Sequence, residues 1–226
     1  MKPETNNYEQ LKSKALNEGA GLFGVADLKN YNTGFNDGIA ALAENLKYGV
    51  SVGVELCAAV LDTVQDHPTL IYSWHYRQIN TLLDKIALNL ARFIQEKNYR
   101  ALPIAASQVT NWHKQTAHVS HKHIANLAGL GWLGRNNLLV TKKFGSALRL
   151  VSVLTDMPLA TDSPCPDNCR NCRLCLSACP AGAIVEKRED FKHQACFEKL
   201  KEFSKMPGIK YYICGVCVRA CGQEKA

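Results

Sequence analysis

The sequence predicts an α+β protein: a layered domain of alternating helices and strands, followed by a smaller cysteine-rich module. Three observations predict it. Helix-period and strand-like apolar segments alternate from Tyr8 to Asp156. A polar linker with three prolines, MPLATDSPCP, follows. Eight of the ten cysteines come after that linker. The expected division is therefore residues 1–157 and residues 158–226.

The elements are predicted in chain order. Tyr8, Leu11, Ala15 and Leu16 recur at helical spacing and stop at Gly19. GLFGVADL then reads as a short apolar strand, and the Asn- and Gly-rich stretch 30–38 as a loop before a short helix from Ile39 to Lys47. SVGVELCAAVL reads as a buried strand, which makes Cys57 a small core hydrophobe. Ile79, Leu82, Leu83, Ile86, Leu90, Phe93 and Ile94 keep a 3.6-residue period and predict the longest helix. His75 and Tyr76 fall at its start, and Trp74 and Trp112 are expected to pack. A strand near Leu102, a helix from Ser120 to Ala128 and a strand over ALRLVSVLTD complete the first part.

At 226 residues the chain can bury a substantial core. The N-terminus has no apolar run of the signal-peptide kind, and no window approaches a membrane span. A cytoplasmic protein with no membrane partner is expected, in which ten cysteines serve metal rather than disulfides. The net charge of +7 is interleaved with acids. Residues 165–226 carry 11 Lys+Arg against 7 Asp+Glu, which suits the negative charge of cysteine thiolates better than a nucleic-acid stripe.

Cys169, Cys172, Cys175 and Cys179 have the spacing C-x2-C-x2-C-x3-C followed by Pro180, the run with which bacterial ferredoxins hold 4Fe-4S clusters. In two-cluster ferredoxins the fourth cysteine of that run serves the other cluster, so a second set is required. Cys214, Cys217 and Cys221 repeat the spacing, and Cys196 stands between. The crossing rule assigns Cys169, Cys172, Cys175 and Cys221 to one cluster and Cys179, Cys196, Cys214 and Cys217 to the other. Zinc is the alternative use of C-x2-C pairs, but it needs only four ligands. Cys165 is read as a linker residue outside both sets.

Gly129, Gly131 and Gly134 match G-x-G-x-x-G, yet they follow a helix rather than a strand, so packing and ligand binding stay open for them. With these residues quoted, AGLGWLGRNNLLV, LVSVLTDMPL and the eight cysteines together resemble epoxyqueuosine reductases and their shorter relatives, a family sharing its plan with reductive dehalogenases. The resemblance implies a nitroreductase-like domain with a ferredoxin-like module, two 4Fe-4S clusters, and a corrinoid (cobalamin) beside Gly129, Gly131, Trp132, Gly134, Arg135 and Asn136. It implies a reductase acting on a corrinoid or small-molecule substrate, with an electron donor such as ferredoxin or flavodoxin. The alternative is a non-catalytic electron carrier.

Two departures from the family bear on substrate. Counting back from Gly129, Gln115 stands where the family's acidic residue is expected, and glutamine is no proton donor of that kind. The sequence also stops five residues after Cys221. From these, tRNA is not expected as a partner. His113, His118, His121 and His123 crowd the position of the missing acid. His118 and His121 are the candidate catalytic proton donors, against a metal site or ordinary surface and cap histidines.

Overall fold

The computed structural model describes residues 2–29, 31, 35, 38–112 and 115–222. Its helices are α1 (Pro3–Asn17), α2 (Ala40–Ala43), α3 (Ala58–Asp62), α4 (Leu70–Glu96), α5 (His121–Leu127), α6 (Leu174–Ala178), α7 (His193–Ser204) and α8 (Val216–Gly222). Its strands are β1 (Leu22–Asp27), β2 (Tyr48–Glu55), β3 (Ala101–Ile104), β4 (Trp132–Leu133), β5 (Leu139–Val140) and β6 (Leu148–Thr155). The residues group into two compact units.

The first unit comprises Met1–Val54, Asn80–Gly131 and Arg149–Cys165. Its sheet has the order β1-β2-β6-β3, with β1 antiparallel to β2 and β3 antiparallel to β6. The inner strands β2 and β6 are nearly continuous in burial, because both faces are covered. Leu83, Ile86, Leu90 and Ile94 of α4 are fully buried, which is the 3.6-residue stripe of the sequence realised as a core face. A second core gathers Leu28, Ile39, Leu46, Ile104, Ile124 and Leu154. α5 packs on β1, and Gly24 admits that approach, since a Cβ there would collide with the Ala128 carbonyl.

The outer edge of β1 is closed by the linker. Val25 N–H donates to Asp162 Oδ2 at 2.8 Å, and Asp162 N–H donates to the Val25 carbonyl at 2.8 Å. Tyr8 donates its hydroxyl to the same carboxylate at 3.2 Å, and burial with that carboxylate's charge pushes the phenol up to about 12. The edge thus offers no free ladder groups at Val25 for another strand.

The second unit comprises Glu55–Ile79, Trp132–Leu148 and Pro166–Ala226. Its core joins Leu56, Val60, Leu61, Val64 and Tyr72 to Ile209, Ile213 and Val216. Gly215 has φ +87°, and a Cβ there would lie 2.8 Å from the Tyr72 ring. The units therefore interleave along the chain, unlike the contiguous division expected at 157/158. The reason is that residues 55–79 and 132–148 bury their apolar side chains with the cysteine-rich segment.

Three local expectations are corrected. The strand predicted through Leu61 ends at Glu55, and Cys57 begins α3 with its side chain exposed rather than in the core. A continuous apolar run does not distinguish a buried strand from a strand followed by a helix turn. The long helix begins at Leu70, where Thr69 Oγ1 accepts the Tyr72 N–H at 3.2 Å. Trp74 and Trp112 are about half exposed, at 52% and 51%, and do not fill a core. No helix among the described residues is long and apolar enough to cross a membrane.

Candidate metal centre

Helices α6 and α8 pack against each other, and each carries one cysteine near its start with another four residues later. Cys175 lies on α6 and Cys179 follows its last residue in an extended conformation, while Cys217 and Cys221 both lie on α8. Four residues span about one turn, or ~5.4 Å of helix. The packing of the two helices brings their cysteines into one neighbourhood.

The sulfurs act on one another accordingly. Burial pushes Cys175 up to about 11, and the next influences are Cys221, Cys169 and Cys172. Burial raises Cys217 far above an ordinary thiol, followed by Cys214, Cys196, Cys179 and, last, Cys175. Cys214 is pushed up to about 11 by burial, with Cys196 and Cys179 adding to it. Cys196 is raised by burial and then by Cys179. The influences on Cys175 come from Cys221, Cys169 and Cys172, and those on Cys217 from Cys214, Cys196, Cys179 and Cys175, so these sulfurs are neighbours in one unit. Among the described residues no three His, Cys, Asp or Glu side chains converge tightly enough to hold a single metal ion. The donor chemistry, eight soft thiols gathered in one unit, fits iron-sulfur ligation.

The residues expected beside a corrinoid are engaged otherwise. Gly129 has φ +71°, and a Cβ on it would lie 2.6 Å from the Ser163 carbonyl. The Gly131 carbonyl accepts Asn126 Nδ2 at 2.8 Å. Trp132 Nε1 donates to Cys169 Sγ at 3.4 Å. A Cβ on Gly134 would lie 3.4 Å from that same sulfur. Arg135 spends its guanidinium on three backbone carbonyls, of Glu186 at 2.9 Å, Cys172 at 2.9 Å and Arg170 at 2.8 Å. Asn136 is buried and donates to Ser146 Oγ at 3.0 Å. All six make contacts inside the chain, and four of them, from Trp132 to Asn136, lie in the unit that carries the cluster cysteines.

The predicted catalytic histidines separate. His121 is only partly covered by area, yet both ring nitrogens are engaged, Nδ1 with Ser152 Oγ at 2.9 Å and Nε2 with the Ala105 carbonyl at 3.0 Å. A carbonyl only accepts, so Nε2 carries the proton and Nδ1 accepts from Ser152. Burial lowers its pKa to about 4, with a small further push from Arg149. That geometry locks loop to strand and leaves no proton to give. His118 instead has a buried Nδ1 with no partner among the described residues, and a Cβ on Gly38 would lie 3.5 Å from its Cε1. His113 lies outside the described residues. Gln115 holds φ +51° in the turn closed by Asn111 and Thr116. His75 Nε2 accepts the Cys57 N–H at 3.0 Å, and burial lowers its pKa. The Tyr76 ring lies 5.7 Å from that of Tyr211.

Sequence reasoning missed Ser146, a buried residue whose Oγ accepts Asn136 Nδ2 at 3.0 Å and whose nearness lowers the Cys221 thiol's pKa against the rise from burial. It also missed Gly145, at φ +55°, where a Cβ would collide with the Cys221 carbonyl. The neighbouring FGS triplet carries no spacing that ties it to a cysteine 75 positions later.

No protein-family model matches the chain. An epoxyqueuosine reductase of Gloeobacter violaceus is 36% identical over 110 residues, covering 49% of this chain and 32% of that protein. The epoxyqueuosine reductase of Aliivibrio fischeri is 29% identical over 65% of this chain and 39% of its own length, so the chain spans about a third of these relatives. A catabolic reductive dehalogenase solved with 3-bromo-4-hydroxybenzoic acid has the same fold over 97% of this chain and 32% of its own, with TM-score 0.75 and 21% identity. An epoxyqueuosine reductase solved with an epoxyqueuosine-modified tRNA-Tyr stem loop matches 94% of this chain and 64% of its own, with TM-score 0.62 and 20% identity. The last match overturns the expectation that tRNA is no partner. Nearly all of this chain has the fold of a protein seen with a tRNA stem loop, so neither Gln115 nor the end of the sequence is ground for excluding tRNA.

Proposed function

Since the chain belongs to an epoxyqueuosine reductase-like family related to the reductive dehalogenases, we propose that it is an iron-sulfur reductase holding two 4Fe-4S clusters and acting on a modified nucleoside of tRNA. The observation that carries this reading is that the eight cysteines from Cys169 to Cys221 repeat the ferredoxin spacing and lie in one compact unit. When bound, such clusters supply one-electron transfer. Removing an epoxide oxygen to leave an alkene consumes two electrons and two protons and releases water, a demand that two one-electron centres match. The relatives are reductases, which favours this reading over an electron carrier.

In this reading the unit of Met1–Val54, Asn80–Gly131 and Arg149–Cys165 supplies an α+β domain of nitroreductase-like descent, and the interleaved unit that carries Cys169 to Cys221 is the ferredoxin-like module. Cys169, Cys172, Cys175 and Cys221 bind one cluster, and Cys179, Cys196, Cys214 and Cys217 the other. Arg135 holds the loop of Cys169 and Cys172 in shape through its three carbonyl bonds. His118 is the proton donor in place of an acid, because its unpartnered Nδ1 is free to hold a proton for the leaving oxygen. Cobalamin, which the resemblance implies, is not assigned to any residue.

The test is anaerobic reconstitution of the full chain, with iron and sulfide counted, followed by single-turnover reaction with tRNA carrying epoxyqueuosine. The reading expects about eight irons and eight sulfides per chain and conversion to queuosine. Four irons would remove the two-cluster assignment. Eight irons without conversion, with or without added cobalamin, would remove the substrate.

A further inference from the structure

We propose that Arg135 is a positioning residue that shapes the Cys169–Cys172 turn for iron, so that the turn owes its form to the β4–β5 hairpin and is in place before iron arrives. That iron is what the turn receives rests on the iron-sulfur reading above, whereas the shaping itself does not.

The turn is one that the backbone does not favour by itself. Cys172 N–H donates to the Cys169 carbonyl at 3.0 Å, closing a β-turn whose end residues lie within about 7 Å of each other, a spacing suited to two ligands of one cluster. Its second residue, Arg170, has φ +45°. A left-handed backbone at a residue other than glycine is disfavoured roughly tenfold, and it persists only where its surroundings hold it. No glycine relieves this turn, which reads Cys-Arg-Asn-Cys.

What holds it converges on Arg135. Its Nη2 donates to the Arg170 carbonyl at 2.8 Å and its Nη1 to the Cys172 carbonyl at 2.9 Å, so one planar fork grips two residues of the turn. Its Nε donates to the Glu186 carbonyl at 2.9 Å, and the Glu186 carboxylate lies 3.7 Å from the same nitrogen. Asn168 Oδ1 adds to the grip by accepting the Arg170 N–H at 2.7 Å. The Arg135 side chain is 19% exposed, so water is a poor substitute for these bonds. Arg135 is itself fixed in the turn of the β4–β5 hairpin, where Trp132 pairs with Val140, Leu133 pairs with Leu139 and Gly134 N–H donates to the Leu138 carbonyl at 2.9 Å. The same hairpin carries Trp132, whose Nε1 donates to Cys169 Sγ at 3.4 Å.

None of the three Arg135 bonds uses a sulfur, so none of them waits for a metal. A lysine would not replace it. An ammonium is a compact charge on a flexible stem and does not reproduce a planar fork set against three carbonyls. Iron therefore meets a turn whose ordering has already been done by the protein.

The experiment compares iron-free full chains by amide hydrogen exchange, for the parent, Arg135→Met and Arg135→Lys. Both variants are expected to speed exchange in the segment 168–173 by at least about tenfold and to leave helix α7 unchanged. Equal exchange in parent and variants would remove the clasp, and faster exchange spread over α7 as well would make Arg135 a general stability residue instead. Adding Arg170→Gly to Arg135→Met supplies a rescue that a general stability role would not give, because glycine accepts the left-handed backbone without penalty. Part of the lost protection should return, and none returning would overturn the account of the turn. On anaerobic reconstitution Arg135→Met should take up iron more slowly than the parent, and equal rates would show that iron forms the turn. A parent with fewer than about eight irons counts against the two-cluster reading, and the iron-free exchange still decides the clasp.

Discussion

His121 shows how far a single residue can depart from what its type suggests. With both ring nitrogens engaged and a pKa lowered to about 4 by burial, it folds as a neutral imidazole. The unfolded chain binds a proton at that residue below its ordinary value of 6.5, and the folded chain does not until about 4. Stability therefore falls as pH drops through that window, by at most ~3 kcal/mol from this group, and is unaffected by it above the window. Urea midpoints measured between pH 7 and pH 4 should show the decline. In His121→Gln, which keeps a neutral polar side chain, the decline should be shallower.

Gly145 is the residue where the chain's path is most constrained. Its φ of +55° is a left-handed conformation, and an added Cβ would run into the Cys221 carbonyl. Gly145→Ala combines a backbone penalty of ~1–2 kcal/mol with that collision. Reconstituted Gly145→Ala should bind markedly less iron than the parent, with the loss in signals of the Cys221 set. Full iron content would show that the turn relaxes.

At the scale of elements, two short helices decide where the cysteines go. Helices α6 and α8 pack against each other, and in the proposed function Cys221 joins Cys175 and Cys179 joins Cys217. Replacing Cys221 by Ser should perturb the cluster of the Cys169 loop, and replacing Cys179 by Ser the cluster of the Cys214 loop. Spectra of the reduced variants distinguish this from sequence-local damage, which would mean that the sets do not cross. The edge of β1 offers a second test, in the other unit. Asp162→Ala removes acceptors for Val25 N–H and the Tyr8 hydroxyl, at a cost of ~1–3 kcal/mol in unfolding free energy. The measurement is a denaturant midpoint at unchanged slope.

For the whole molecule, the two units depend on the clusters unequally. The first has a four-stranded sheet and the fully buried α4 stripe of Leu83, Ile86, Leu90 and Ile94. The second has short helices and thiols that burial disfavours as anions, so bound clusters contribute folding free energy there. Removing iron with a chelator should raise amide hydrogen exchange in residues 166–222 and leave strands β2 and β6 protected. Equal loss in both units would contradict this division.

The sequence by itself determined the alternation of elements, the long helix through its 3.6-residue stripe, and the repeated cysteine spacing of Cys169 to Cys179 and Cys214 to Cys221. Those features are local, carried by side-chain periodicity and by cysteines a few bonds apart. Only the tertiary structure decided that Trp132 meets Cys169 across 37 positions and that Gly145 lies against Cys221. It also decided that Arg135 holds a loop, that Cys57 is exposed and that His121 has no proton to give. The physical reason is that a hydrogen-bond donor has no periodicity of its own. What it serves depends on which buried acceptor the packed chain brings within reach, because a donor left unpaired in the interior costs more than the bond is worth.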